Sequence, residues 1–157
     1  MKNIKFTIIT FYEFVKIKKI DSLQIILSEF CSFNKIKGTI ILAEEGINGT
    51  VSGLAKPIDL LQKKLFYLGF KKLEKKKSFY DFMTFNRLKI KIKKEIVTFN
   101  EFNLNVDKLK AKHVSSSDWN KLIKDKNTLL IDVRNEFEVE LGSFEGSTNP
   151  NTKNFSE

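Results

Sequence analysis

The chain has 157 residues, room for one ordinary domain or for one small domain plus part of another. Hydrophobic residues make up 41%, with 15 Phe, 7 Gly and 2 Pro, which excludes an extended low-complexity or collagen-like polymer. The net charge of +9 is uneven: residues 1–100 hold 20 basic and 9 acidic side chains, residues 101–157 hold 8 and 10, so a basic module is expected ahead of a mildly acidic one.

In chain order, Lys5 to Val15 is rich in aromatic and β-branched residues and is expected to be a first strand. Asp21 and Ser22 offer N-cap oxygens to a helix whose Leu23, Ile26, Leu27 and Phe30 recur at three and four, running to about Asn34. Thr39 to Ala43 reads as a buried strand, Glu44-Glu45-Gly46 as a turn, and Ile47 to Ser52 as the returning strand of a hairpin. Pro57 opens a second helix with Ile58, Leu61, Leu65 and Leu68 on one face, and Gly69 stops it. Phe70 to Leu73 can begin a fourth strand. The order β-α-β-β-α-β predicts an α+β domain of the ferredoxin-like or acylphosphatase-like kind over residues 1–99. Leu88 to Lys93 alternates strictly between aliphatic and lysine, the clearest strand in the chain.

Residues 100–112 lack either period and are expected to be a linker. Beyond it, Ser115, Ser116, Ser117 and Asp118 supply caps for a short helix with Trp119, Leu122 and Ile123. Leu129-Leu130-Ile131 reads as a short buried strand ending at Asp132, and Glu136 to Leu141 as one or two helical turns stopped by Gly142. Strand, acidic turn, helix and glycine describe the first βα unit of an α/β domain; some 45 residues are too few to enclose its sheet, which takes on the order of a hundred, so residues 113–157 are expected to be the incomplete start of one.

Two groups of residues could carry function. Lys89, Lys91 and Lys93, with Arg87 and Lys94 beside them, form a cationic strand face able to follow the phosphates of a nucleic acid; the plainer reading is a solvated sheet face or protected edge. The lysine bias, 26 Lys to 2 Arg, is also what an AT-rich genome would produce. Asp132 and Arg134 stand at a strand end, where open α/β sheets bind ligands, or where an ion pair simply braces a turn. Other positions offer less. Glu44 and Glu45 are adjacent, poor geometry for shared proton work, and with Gly46, Asn48 and Gly49 they read as turn chemistry in which the Asn side chain closes the turn. Cys31 reads as a small, partly buried core residue, His113 has no companions at metal-ligand spacing, Ser115 to Ser117 lack a base, and Phe79, Phe82 and Phe85 are expected to pack in a core or hinge. A single cysteine forms no internal disulfide, no apolar run approaches the ~18 residues of a membrane span, and no leader opens the chain, so the expectation is a soluble, unprocessed, cytoplasmic protein without membrane partners.

Four ordered blocks add a resemblance: Ile41 to Gly53, Arg87 to Thr98, Trp119 to Ile123 and Leu130 to Gly142. The last looks like the opening of a rhodanese domain, and together the four resemble the bacterial rhodanese-like tRNA uridine hydroxylases. The resemblance implies an oxidoreductase with tRNA as partner and molecular oxygen as co-substrate, forming 5-hydroxyuridine at the wobble position; it says nothing of a metal or organic cofactor. It also implies an acting cysteine in a glycine-rich loop beyond Glu157. No catalytic residue is therefore expected within these residues, Asp132 and Arg134 would support the missing loop, and the 157 residues alone are expected to be inactive. The rival readings are a non-catalytic RNA- or protein-binding module and a rhodanese-type sulfurtransferase remnant.

Overall fold

The aromatic and β-branched run Phe6–Phe14 becomes a strand because one set of its side chains has somewhere to go. Ile9 and Phe11 are fully buried while Thr10, Tyr12 and Phe14 stay exposed on the other face. The computed structural model describes residues 5–97 and 114–151, and the chain divides into two units, Met1–Val97 and Thr98–Glu157. The expected linker at 100–112, and His113, lie outside the described residues.

In the first unit the elements follow as β1 (Phe6–Phe14), α1 (Ile20–Phe33), β2 (Lys37–Ala43), β3 (Gly46–Leu54), α2 (Ala55–Tyr67), β4 (Glu74–Tyr80) and β5 (Leu88–Ile92). The sheet order is β4-β1-β3-β2-β5, with antiparallel neighbours except for the parallel β2–β5 pair. This is the expected split βαβ arrangement with one strand added at its edge. Helices α1 and α2 cover one face. Leu23, Leu27 and Cys31 of α1 and Ile58, Leu61 and Leu65 of α2 meet Ile9, Phe11, Ile40, Leu42, Ile47 and Val51 from the sheet in a single core. The added strand is tied to the helix layer by Gln24, whose Nε2 donates to the Ile90 carbonyl at 2.9 Å.

Three features differ from the sequence reading. The fourth strand begins at Glu74 rather than Phe70, because the chain leaves α2 through a tight stop: Gly69 N–H donates to the Phe66 carbonyl and Phe70 N–H to that of Leu65, with Gly69 at φ +110°. Phe70, buried with Leu65, is thus the hydrophobic half of a helix cap. Helix α1 starts at Ile20 with Lys19 in the N-cap position, so Asp21 and Ser22 lie within its first turn. Phe79 and Phe82 are both 60% exposed, outside any core; Phe79 lies on the helix side of edge strand β4 and Phe82 packs against Tyr80 in the loop that follows, at 4.5 Å between ring centroids.

The second unit holds α3 (Ser116–Leu122) and α4 (Glu136–Glu140). Ser115 caps α3 by accepting from Asp118 N–H at 3.2 Å, as its sequence position suggests. Glu138 reaches back from α4 to accept from the Asn135 backbone and side chain at 3.3 and 2.9 Å. The expected buried strand at Leu129-Leu130-Ile131 is not formed. Ile131 makes one isolated parallel bridge to Thr148, and Leu129 and Ile131 are 72% and 49% exposed. A strand needs a neighbour along its length, and among the described residues this one has a single bridge.

Candidate functional site

Strand β5 does sort its side chains as its alternation demands. Leu88 and Ile90 pack against the core, and in register with Thr39 and Ile41 of β2, Lys89 and Lys91 point to the face without helices. Lys93 continues that alternation just past the strand, its N–H donating to the Leu42 carbonyl at 2.8 Å; Arg87 precedes the strand, and its carbonyl accepts from Gly38 N–H at 3.0 Å. Arg87, Lys91, Lys93 and Lys94 are exposed and Lys89 half-buried. The register adds cations that alternation within β5 alone does not reveal. Lys76 of β4 stands opposite Thr10, and Lys37 of β2 opposite Ser52, both on this same face. Lys77, one residue on, faces the helices and meets Asp59 of α2 at 3.4 Å.

The acidic hairpin has a role the sequence did not disclose. Glu45 Oε1 accepts from Ile96 N–H at 2.8 Å, and Asn48 Nδ2 donates to the Ile96 carbonyl at 3.1 Å. Both backbone groups of one buried residue are therefore satisfied by side chains of this motif, and the chain leaving β5 is held against the sheet. Asn48 does not close the turn. The turn is closed from outside by the segment after β1, where Val15 and Ile17 N–H groups donate to the Glu45 and Glu44 carbonyls at 2.9 and 2.8 Å. Gly46 is required there, since a Cβ would sit 2.1 Å from the Glu13 carbonyl oxygen.

In the second unit Asp132 and Arg134 meet, as a brace. Asp132 Oδ1 accepts from Arg134 Nε at 2.9 Å and from its backbone N–H at 3.2 Å; Oδ2 accepts from Arg134 Nη2 at 2.6 Å and from Ser143 Oγ at 2.8 Å. Nη2 also donates to the Gly142 carbonyl at 2.7 Å, closing the loop around α4. The Arg134 hydrogen bonds, and after them that of Ser143, hold the Asp132 carboxyl well below the usual carboxylate range, and the Arg134 guanidinium is pushed up in turn. A carboxylate so occupied is a poor proton acceptor. Its chemistry is to fix the loop between Arg134 and Ser143.

Cys31 is fully buried, more than the sequence suggested, and burial pushes its thiol up to about 12, so it is no nucleophile. Among the described residues no group of three or more His, Cys, Asp or Glu could hold a metal ion, and no helix is long and apolar enough to cross a membrane.

Residues 6–96, more than half of the chain, match the UPF0176 acylphosphatase like domain. The chain belongs to the UPF0176 family. Proteins of that similarity include two named tRNA uridine(34) hydroxylase: one from Brucella anthropi, 39% identical across the whole of this chain and 52% of that protein, and one from Bartonella bacilliformis, 42% identical across 98% of this chain and 50% of that protein. The UPF0176 chain described here thus spans about half the length of the curated relatives it matches.

Proposed function

We propose that this chain is part of a tRNA uridine hydroxylase, an oxidoreductase that forms 5-hydroxyuridine at position 34 of tRNA in the cytoplasm with molecular oxygen as co-substrate. The observation that carries this reading is the 39–42% identity, over 98% or more of the chain, to proteins bearing that name. In this reading residues 1–99 form the RNA-contacting domain, and residues from about 113 onward begin a rhodanese-like domain in which Asp132 and Arg134 stiffen the support for a catalytic loop. Arg87, Lys89, Lys91, Lys93 and Lys94 supply phosphate contacts, because cations spaced about 7 Å apart along one strand face suit a polyanion and make its binding salt-dependent.

Two measurements test this. Deleting the whole gene should remove 5-hydroxyuridine from cellular tRNA, and the complete protein supplied with isotopically labelled oxygen should restore the nucleoside carrying the label; unchanged nucleoside content in the deletion overturns the assignment. Changing Lys89, Lys91 and Lys93 together to Ser should weaken tRNA binding and lower the slope of log affinity against log salt by about 2, at roughly 0.7 per lost contact. An unchanged slope removes these residues from the interface.

A further inference from the structure

The helix-free face of the sheet carries more than the lysines of β5. Strand register places Lys76, Thr10, Thr50, Thr39 and Lys89 in one row across all five strands, with a hydroxyl-to-hydroxyl hydrogen bond of 3.1 Å between Thr10 and Thr50. Beside that row, two residues along β1, stands Tyr12, and beyond it Phe14; their rings meet edge to face at 6.5 Å and remain 41% and 39% exposed. At the other end of β1, Phe6 faces Tyr80, itself 47% exposed. The face therefore combines exposed rings, a line of hydroxyls and cations on both margins, with Glu74 opposite Tyr12 as the acid among them.

We propose that this face is a platform for an unpaired segment of RNA, whose bases stack on Tyr12 and Phe14 while Lys76 and Lys89 hold its backbone from the two margins. Rings of this kind are wasted on a duplex, whose bases already stack on one another and whose edges lie in grooves; a splayed single strand offers free π-faces to aromatic side chains. Strands spaced about 4.8 Å apart put the two lysines roughly 19 Å from each other, a distance that a few nucleotides cross. The threonine hydroxyls donate and accept in the same plane and suit base edges or ribose hydroxyls between the two margins. Lys37, Lys89 and Lys91 leave the β5 side of the face cationic, while Lys76 and Glu74 offset each other on the β4 side, and the net excess argues for a polyanion over an apolar partner.

This inference rests on the tRNA reading above and sharpens it to the unpaired part of the molecule. Fluorescence anisotropy with the 157-residue chain tests it, using a labelled RNA of about 12 nucleotides, single-stranded or annealed to its complement. The single strand should bind about tenfold more tightly than the duplex. Tyr12→Ala should weaken single-strand binding about tenfold with the salt slope unchanged, and Tyr12→Phe should retain affinity. Lys76→Ser with Lys89→Ser should lower the slope by about 1.4. Both rings and lysines are on the surface, and circular dichroism would verify that the variants fold. Equal or tighter duplex binding, or an indifferent Tyr12→Ala, overturns the platform. If tRNA binding still responds to the triple lysine change of β5 while Tyr12→Ala does nothing, the tRNA reading stands and the platform alone falls. A dimer that Tyr12→Ala dissociates would assign the face to a second copy of the chain and likewise overturn it.

Discussion

The two units are stabilised by different physics. The first encloses fourteen buried hydrophobic residues in one cluster, and its hydrogen bonds mostly complete a sheet and two helices that the cluster already holds. In the second, Asp132 is the one residue among those described that is buried, while Leu129, Val133, Phe137, Leu141 and Phe144 stay between 58% and 86% exposed. What order it has comes from local polar devices: the Ser115 cap, the reach of Glu138 back to Asn135, and the Asp132–Arg134–Ser143 brace. Hydrophobic burial scales with area and is shared over many residues. A brace depends on the few atoms that make it.

The largest test of that contrast compares two phenylalanines. Phe11 is fully buried beneath β3 and Phe137 is 61% exposed on α4. Phe11→Ala should cost about 3–5 kcal/mol, enough to unfold much of the first unit. Phe137→Ala should stay within about 0.5 kcal/mol. Urea unfolding followed by far-ultraviolet circular dichroism reports chiefly on the first unit, and the fluorescence of Trp119, the single tryptophan of the chain, reports on the second. A comparable loss from both substitutions would erase the distinction.

Acid should separate the units next. Because the folded state holds the Asp132 carboxyl below its ordinary value of 3.8, the unfolded state binds the extra proton more readily. The brace is therefore fully effective above that value and is lost progressively as pH falls beneath it. Trp119, which packs against Phe144 at 5.5 Å, should change its emission over that range before the circular dichroism of the first unit moves. In Asp132→Asn the same emission should already be altered at neutral pH and should vary less with acid. Coincident transitions by the two probes would show that the brace does not limit the second unit.

How much of this was legible in sequence follows from how local each signal is. The helix faces, the hairpin and the alternation at Leu88 to Ile92 depend on spacing within one element, and they are found where spacing put them. Lys89 and Lys91 could be assigned to a common face for the same reason. Lys76 and Lys37 could not, because their membership of that face is decided by pairing with β1 and β3 across tens of residues. The faces of β1, and the threonine row that spans three strands, likewise needed the register of their neighbours. The tie from Glu45 and Asn48 to Ile96 spans about fifty residues and leaves no local trace. At Leu129 to Ile131 the apolar run was real, but hydrophobicity signals burial only where partners exist to bury it.

The smallest prediction concerns strain that only a cored unit can absorb. Helix α2 ends on Gly69, while α1 ends with the same pair of hydrogen bonds, Lys35 N–H to Ser32 and Ile36 N–H to Cys31, on a lysine at φ +54°. A left-handed conformation costs a side-chain-bearing residue roughly 1–2 kcal/mol, and the cost is met here because Cys31 and Ile36 on either side of the cap are fully buried. Among the described residues of the second unit the positive φ angles fall on Gly142, Gly146 and Asn151, residues that adopt them at little cost. Lys35→Gly should relieve the strain, offset in part by the greater freedom of glycine in the unfolded chain, for a net gain of about 0.5–1 kcal/mol in urea unfolding of the first unit. A loss instead of a gain would mean that the lysine stem contributes packing at the cap that outweighs its backbone strain.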